Sequence, residues 1–284
     1  MSGSVSALVT YGRMIKLSHS IFAMPFALAA AALAARQHPI SWVQGALIVI
    51  CMVLARSCAM GFNRIVDRHI DAKNPRTATR EIPSGQMSVG AAKAVTAAAA
   101  ILFVACAFAL NPACGALSPI ALGVVCGYSY AKRFTALVHL WLGVALGIAP
   151  VAAWIAVTGV ASTVSVVLAF AVMTWVAGFD ILYSLQDEAF DRGQGLRSIP
   201  VALGQVGAMW VSGILHIVTV GLLAALPFLV PLAWPYWVGW AIITAVLGYE
   251  HWLVRPGDLS RIDKAFFDLN GYVSLLFLVG VLAG

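Results

Sequence analysis

Apolar residues in this chain run for about twenty positions at a time, and short polar stretches holding nearly all the charge separate the runs. Runs of that length match a bilayer core of ~30 Å crossed by helices. The pattern predicts nine spans, near residues 15–35, 42–62, 90–110, 114–131, 138–158, 162–184, 206–227, 231–253 and 266–284. The polar breaks after the second and sixth spans are the longest, and no hydrophilic stretch is long enough for a separate soluble domain. The expected fold is therefore all-α and integral to the membrane, with residues 1–284 forming one nine-helix domain. Composition agrees: 62% of residues are hydrophobic, 10% are charged and mean hydropathy is +0.94, outside the range of soluble domains.

Charge gives orientation. Arg13 and Lys16, Arg64 through Lys93, Lys132 and Arg133, Arg192 and Arg197, and Arg255 through Lys264 put fifteen of the seventeen Lys and Arg residues on one face. Only Arg36, opposite, and Arg56, inside a span, depart from this. The positive-inside rule makes that face, with the amino terminus, cytoplasmic, and puts the carboxyl terminus outside a bacterial inner membrane. Residues 31–35 resemble a signal-peptidase site, but the run is long and completes the charge pattern, so the first span is expected to be retained. The net charge of +6 follows this topology, and no nucleic-acid role is assigned. Five scattered cysteines without a C-x-x-C pair are read as packing residues. Nothing in the sequence calls for an obligate protein partner.

Acidic residues are scarce, yet two clusters share one spacing: Asn63-Arg-Ile-Val-Asp67-Arg-His-Ile-Asp71, and Asp180 followed by Asp187-Glu-Ala-Phe-Asp191. In a helix, four-residue spacing stacks Asp67 over Asp71 and Asp187 over Asp191. Such pairs repel unless a cation lies between them. Mg²⁺ suits oxygen ligands and commonly shares a substrate phosphate. Arg56 lies seven residues before Asn63 and Asp180 seven before Asp187, so each cluster extends into the membrane as a polar stripe. A polar cavity between the second and sixth spans, opening to the cytoplasm, is expected. The plainer readings are interfacial ion pairs for the aspartates, and mutual neutralisation for Arg56 and Asp180. Arg64, Arg68, Arg76, Arg80, Lys132, Arg133, Arg192 and Arg197 share the acidic face; they suit diphosphate oxygens, although topology alone also puts them there. Lys132-Arg133, after Tyr128-Ser-Tyr130, is the strongest candidate. None of the six histidines is assigned a role, and His69 is expected to face away from Asp67 and Asp71. Each cluster is followed by a short signature, Arg80-Glu-Ile-Pro83 and Arg197-Ser-Ile-Pro200, which suggests two related halves.

These residues, with the stretch 74–85, the Tyr-Ser-Tyr-Ala-Lys-Arg-Phe-Thr of 128–135 and the D-x-x-x-D of 187–191, resemble the UbiA superfamily of intramembrane prenyltransferases. The resemblance implies a central cavity in which Asp67, Asp71, Asp187 and Asp191 hold Mg²⁺ and, through it, a polyprenyl diphosphate. Asn63 would support them, Arg56 would orient the acceptor or the diphosphate, and Lys132 and Arg133 would cover the leaving group. Tyr128, Arg68, Asp180 and Arg197 join the expected substrate contacts. Ser129 departs from the Pro many members carry, which should alter loop stiffness more than chemistry. Ionisation of the C–O bond would yield an allylic cation, shielded from water and attacked by an electron-rich ring. Residues 55–64 and 178–192 resemble a 4-hydroxybenzoate polyprenyltransferase-like group. That implies a hydroxylated aromatic acid as acceptor, in ubiquinone or menaquinone biosynthesis. Dihydroxynaphthoate of the futalosine route, a haem or chlorophyll acceptor, and an ion-coupled transporter using Arg56 and Asp180 remain as other readings.

Overall fold

The computed structural model describes residues 9–15 and 22–284, and every regular element among them is helical. The elements are α1 (Ala23–Ala35), α2 (Trp42–Asp71), α3 (Val89–Leu110), α4 (Pro112–Ala131), α5 (Val138–Thr158), α6 (Thr163–Ser184), the short α7 (Glu188–Gly193), α8 (Ile199–Ala225), α9 (Trp234–Leu253) and α10 (Asn270–Ala283). Among the described residues six stretches are long and apolar enough to cross a membrane: α2, α3, α4, α5, Thr163–Gly193 and Ile199–Phe228. Helices α1 and α10 are apolar but shorter. The expected span 15–35 is seen as helix from Ala23, and its residues 16–21 lie outside the described ones.

The helices gather into two compact units. The first holds residues 9–15 and 42–130 among those described. Its core joins Tyr11, Met14 and Ile15 to Ile65, Ile82, Met87 and Ala92. The Tyr11 hydroxyl donates to the Ser57 carbonyl at 2.7 Å and lies 3.1 Å from Thr96 Oγ1. Gly61 makes room for this, because a Cβ there would strike both side chains. Much of α3 remains uncovered, with Ile101, Leu102 and Phe108 exposed, as lipid-facing surface requires. Ser88 starts α3 by accepting from the Ala91 N–H.

The second unit holds residues 22–41 and 131–284 among those described. Helix α6 is its axis, with Leu168, Ala171, Val172, Trp175, Val176 and Ile181 fully buried. A Ser162/Ser165 capping box sets its start. Gly143 and Gly147, one turn apart on α5, let that helix approach α6 so closely that a Cβ at either would meet the carbonyl of Met173 or Ala169. Small residues four apart serve this purpose in membranes, where van der Waals contact drives helix packing. Phe26 stacks on Phe277 at 4.4 Å and packs on Trp175, whose indole N–H donates to Asn270 Oδ1 at 2.7 Å. Arg36 donates to the carbonyls of Pro231 and Val281.

Helix α8 begins at Ile199, not near 206. Its first turn is joined to the rest across Gly204, whose φ of +69° only glycine adopts readily. The apolar pattern marks the straight stretch after that kink.

Candidate functional site

The first acidic motif ends α2. Helical spacing brings Asn63, Asp67 and Asp71 into one seam, and both carboxylates are buried. Asn63 Nδ2 donates to Asp67 Oδ2 at 2.9 Å and lies 3.5 Å from Ser129 Oγ. Ser129, where proline would offer no hydroxyl, is thus part of the support for this motif. His69 is exposed, as expected.

The loop after α2 wraps back on Asp71. Asn74 Oδ1 accepts from the Arg76 N–H, and Thr77 Oγ1 donates to the Asp71 carbonyl at 3.0 Å. Arg80 then donates through Nη1 to Asp71 Oδ1 at 2.7 Å. Among the described residues Asp71 Oδ2 is buried with no hydrogen-bond partner. Arg64, buried on the same helix, also has an unpartnered Nε. Arg68 turns back to the Ile65 carbonyl at 2.7 Å. Arg56 is partly buried, and so is Tyr128, while Tyr130 is exposed and sets its ring edge against Phe62.

The second motif is built differently. Helix α6 stops at Ser184, the chain tightens into a 3₁₀ turn over Leu185–Asp187, and α7 resumes at Glu188. The expected continuous stripe through Asp180, Asp187 and Asp191 is therefore broken: Asp187 sits at the junction, half-buried, and Asp191 is buried in α7. Tighter winding over Leu185–Asp187 turns each residue by more than an α-helix does, so Asp187 and Asp191 leave the line that Asp180 would continue. Asp180 lies above the break and holds His139 of α5, Oδ2 to Nδ1 at 2.7 Å. His139 Nε2 lies 3.5 Å from Ser184 Oγ. Sequence reasoning gave His139 no role because forty-one positions separate it from Asp180. A lone intramembrane histidine near an intramembrane aspartate was the only available signal.

Lys132 and Arg133 lie in the turn after α4, the lysine partly buried and the arginine exposed. Arg197 reaches this turn: its N–H donates to the Lys132 carbonyl and its Nη1 to the Phe134 carbonyl, both at 2.7 Å. Arg192 pairs with Glu188 on the surface of α7.

The acidic groups near the two motifs supply oxygen alone. Among the described residues no group of three or more His, Cys, Asp or Glu side chains is arranged to hold a metal ion by itself. Mg²⁺ commonly binds through one or two carboxylates and takes its other ligands from water and phosphate. The orphaned Asp71 Oδ2 is a buried acceptor of the kind such an ion satisfies.

A membrane-embedded helical protein whose buried aspartates end its helices beside basic turns is fitted to act on a lipid-linked anion. The chain belongs to the UbiA prenyltransferase family, whose model matches residues 23–276. It is 28% identical over 245 residues to the 4-hydroxybenzoate octaprenyltransferase of Methylobacillus flagellatus, covering 85% of this chain and 82% of that one. It is 29% identical over 246 residues to the enzyme of the same name from Paraburkholderia phytofirmans, covering 87% and 85%. The apo structure of a UbiA homolog from Aeropyrum pernix K1 superposes with a TM-score of 0.86 at 33% identity, over 94% of this chain and 98% of that one. A UbiA homolog from Archaeoglobus fulgidus bound to GPP and Mg²⁺ shares the fold, with a TM-score of 0.75 at 21% identity over 96% and 98%.

Proposed function

We propose that this chain transfers a polyprenyl group from a polyprenyl diphosphate to a hydroxylated aromatic acid, with 4-hydroxybenzoate the first acceptor to test, in quinone biosynthesis. The observation that carries this reading is the Asn63–Asp67–Asp71 seam, two buried carboxylates with one oxygen left unpartnered, in a chain of this family. In this reading residues 1–284 act as one nine-span domain in a bacterial inner membrane. The cavity opens to the cytoplasm and the carboxyl terminus lies outside.

Asp67, Asp71, Asp187 and Asp191 would hold Mg²⁺, which when bound neutralises diphosphate charge and weakens the allylic C–O bond. Asn63 fixes the Asp67 carboxylate through its amide. Lys132 and Arg133 meet the departing diphosphate as its charge grows. Arg56 orients the acceptor carboxylate or the diphosphate, and Tyr128 and Arg68 are further substrate contacts in this reading. Asp180, held by His139, keeps a fixed carboxylate inside the span for the acceptor hydroxyl. The prenyl tail lies among apolar helices, which is why the reaction belongs in a membrane.

The test supplies purified protein in lipid with Mg²⁺, a labelled polyprenyl diphosphate and either 4-hydroxybenzoate or dihydroxynaphthoate. Prenylated 4-hydroxybenzoate is the expected product. Product from dihydroxynaphthoate alone would move the enzyme to the menaquinone route, and no product from either would defeat the acceptor class.

A further inference from the structure

Leu196 and Arg197 tie together two segments that carry different parts of the proposed chemistry. The Leu196 N–H donates to the Asp191 carbonyl at 2.9 Å, and the next N–H, that of Arg197, donates to the Lys132 carbonyl at 2.7 Å. The Arg197 guanidinium then donates to the Phe134 carbonyl. One arginine thus grips the 131–135 turn at two carbonyls, on either side of Arg133. The turn closes itself by bonds from the Phe134 and Thr135 N–H groups to the Ala131 carbonyl.

The strap is anchored at both ends. Ahead of it Gly195, at φ +68°, turns the chain in a conformation costly to any L side chain. Behind it Ser198 caps α8 by accepting from the Val201 N–H. The strap therefore has little freedom of its own.

The arginine of the other signature behaves differently. Arg80 spends Nη1 on the Asp71 carboxylate, a charge-neutralising contact, whereas Arg197 spends the same atom on a neutral main-chain carbonyl. Arg197 bonds as a brace does, to main-chain carbonyls on both sides of Arg133.

We propose that Arg197 is a positioning residue, holding the Lys132–Arg133 turn at a fixed distance from Asp191 so that both cations meet the diphosphate that Asp191 helps to hold. This rests on the transferase reading above. It changes the expected duty of Arg197 from direct substrate contact to control of the residues that make it.

The test reads the turn with and without substrate. Hydrogen exchange of residues 131–136 is measured in the wild-type protein, in Arg197→Ala and in Gly195→Ala, which strains the strap while leaving the guanidinium in place. Both variants should exchange this segment roughly tenfold faster, with the spans unchanged. With prenyl diphosphate, Arg197→Ala should lower kcat roughly tenfold and leave KM for the aromatic acceptor near its wild-type value. In a Lys132→Ala/Arg133→Ala background the same substitution should cost less than about twofold, because its effect passes through those side chains. Unchanged exchange, or a full tenfold loss in that background, would overturn the proposal in favour of direct phosphate contact. A wild-type protein without transfer activity would count against the transferase reading, while the exchange measurement still decides the strap.

Discussion

His139 and Asp180 share a 2.7 Å hydrogen bond between Nδ1 and Oδ2, joining α5 to α6 inside a membrane span. The imidazole is almost wholly buried, whereas the carboxylate keeps 14% of its side chain exposed. Ser184 Oγ donates to the Ile181 carbonyl at 2.8 Å and lies 3.5 Å from His139 Nε2. The imidazole and the carboxylate fix each other.

His139→Ala should therefore destabilise the protein by about 1–3 kcal/mol, since it leaves a largely buried carboxylate without its partner. Asp180→Asn should cost less in that background than alone. Thermal unfolding of the two single variants and the double variant checks this, and strictly additive shifts would count against the pair.

Arg80 on Asp71 Oδ1 and a cation bound at the open Oδ2 would share one carboxylate and repel each other. Without metal, Arg80→Ala should lower the unfolding temperature, because Asp71 loses its ion pair. Addition of MgCl₂ with pyrophosphate should raise that temperature more in the variant than in the wild type, since binding to the native state stabilises it by mass action. Equal rises in the two proteins would argue that the ion binds elsewhere.

Asp67→Ala and Asp191→Ala should each reduce Mg²⁺-dependent turnover by roughly 10²-fold or more. Their helical content should persist, because apolar cores hold both units. Near-normal turnover in both would defeat the metal assignment.

Chelation by EDTA should stop transfer, and Mg²⁺ should restore it. Circular dichroism should not change, since apolar cores hold both units. Loss of helix on chelation would point to a structural ion.

Gly143→Ala sets a methyl against the Met173 carbonyl, which belongs to a helix backbone and cannot swing away. A cost of about 1–3 kcal/mol is expected. The enzyme that remains folded should keep its Mg²⁺ requirement, which titration of activity would show.

How far the sequence predicted the molecule depended on whether the deciding contact was local. Helix α2 and its Asn63–Asp67–Asp71 seam were legible because apolar length and a four-residue period are both local signals. The break at Leu185–Asp187 was not, since no proline or glycine marks it. His139 was passed over because its partner lies on another helix. Arg80 and Arg197 looked equivalent in their matching signatures, and only tertiary structure separates a carboxylate partner from a carbonyl partner.

The tightened turn at Leu185–Asp187 uncouples two settings that an unbroken helix would lock together. In an α-helix each residue turns by about 100°, so rotating α6 to improve its packing would swing Asp191 by the same amount. Here the phase of α6 answers to Trp175 and its neighbours, while the aim of Asp191 answers to α7 and the Leu196 N–H. Substitutions that reshape the wall around Asp180 can thus accumulate without turning Asp191.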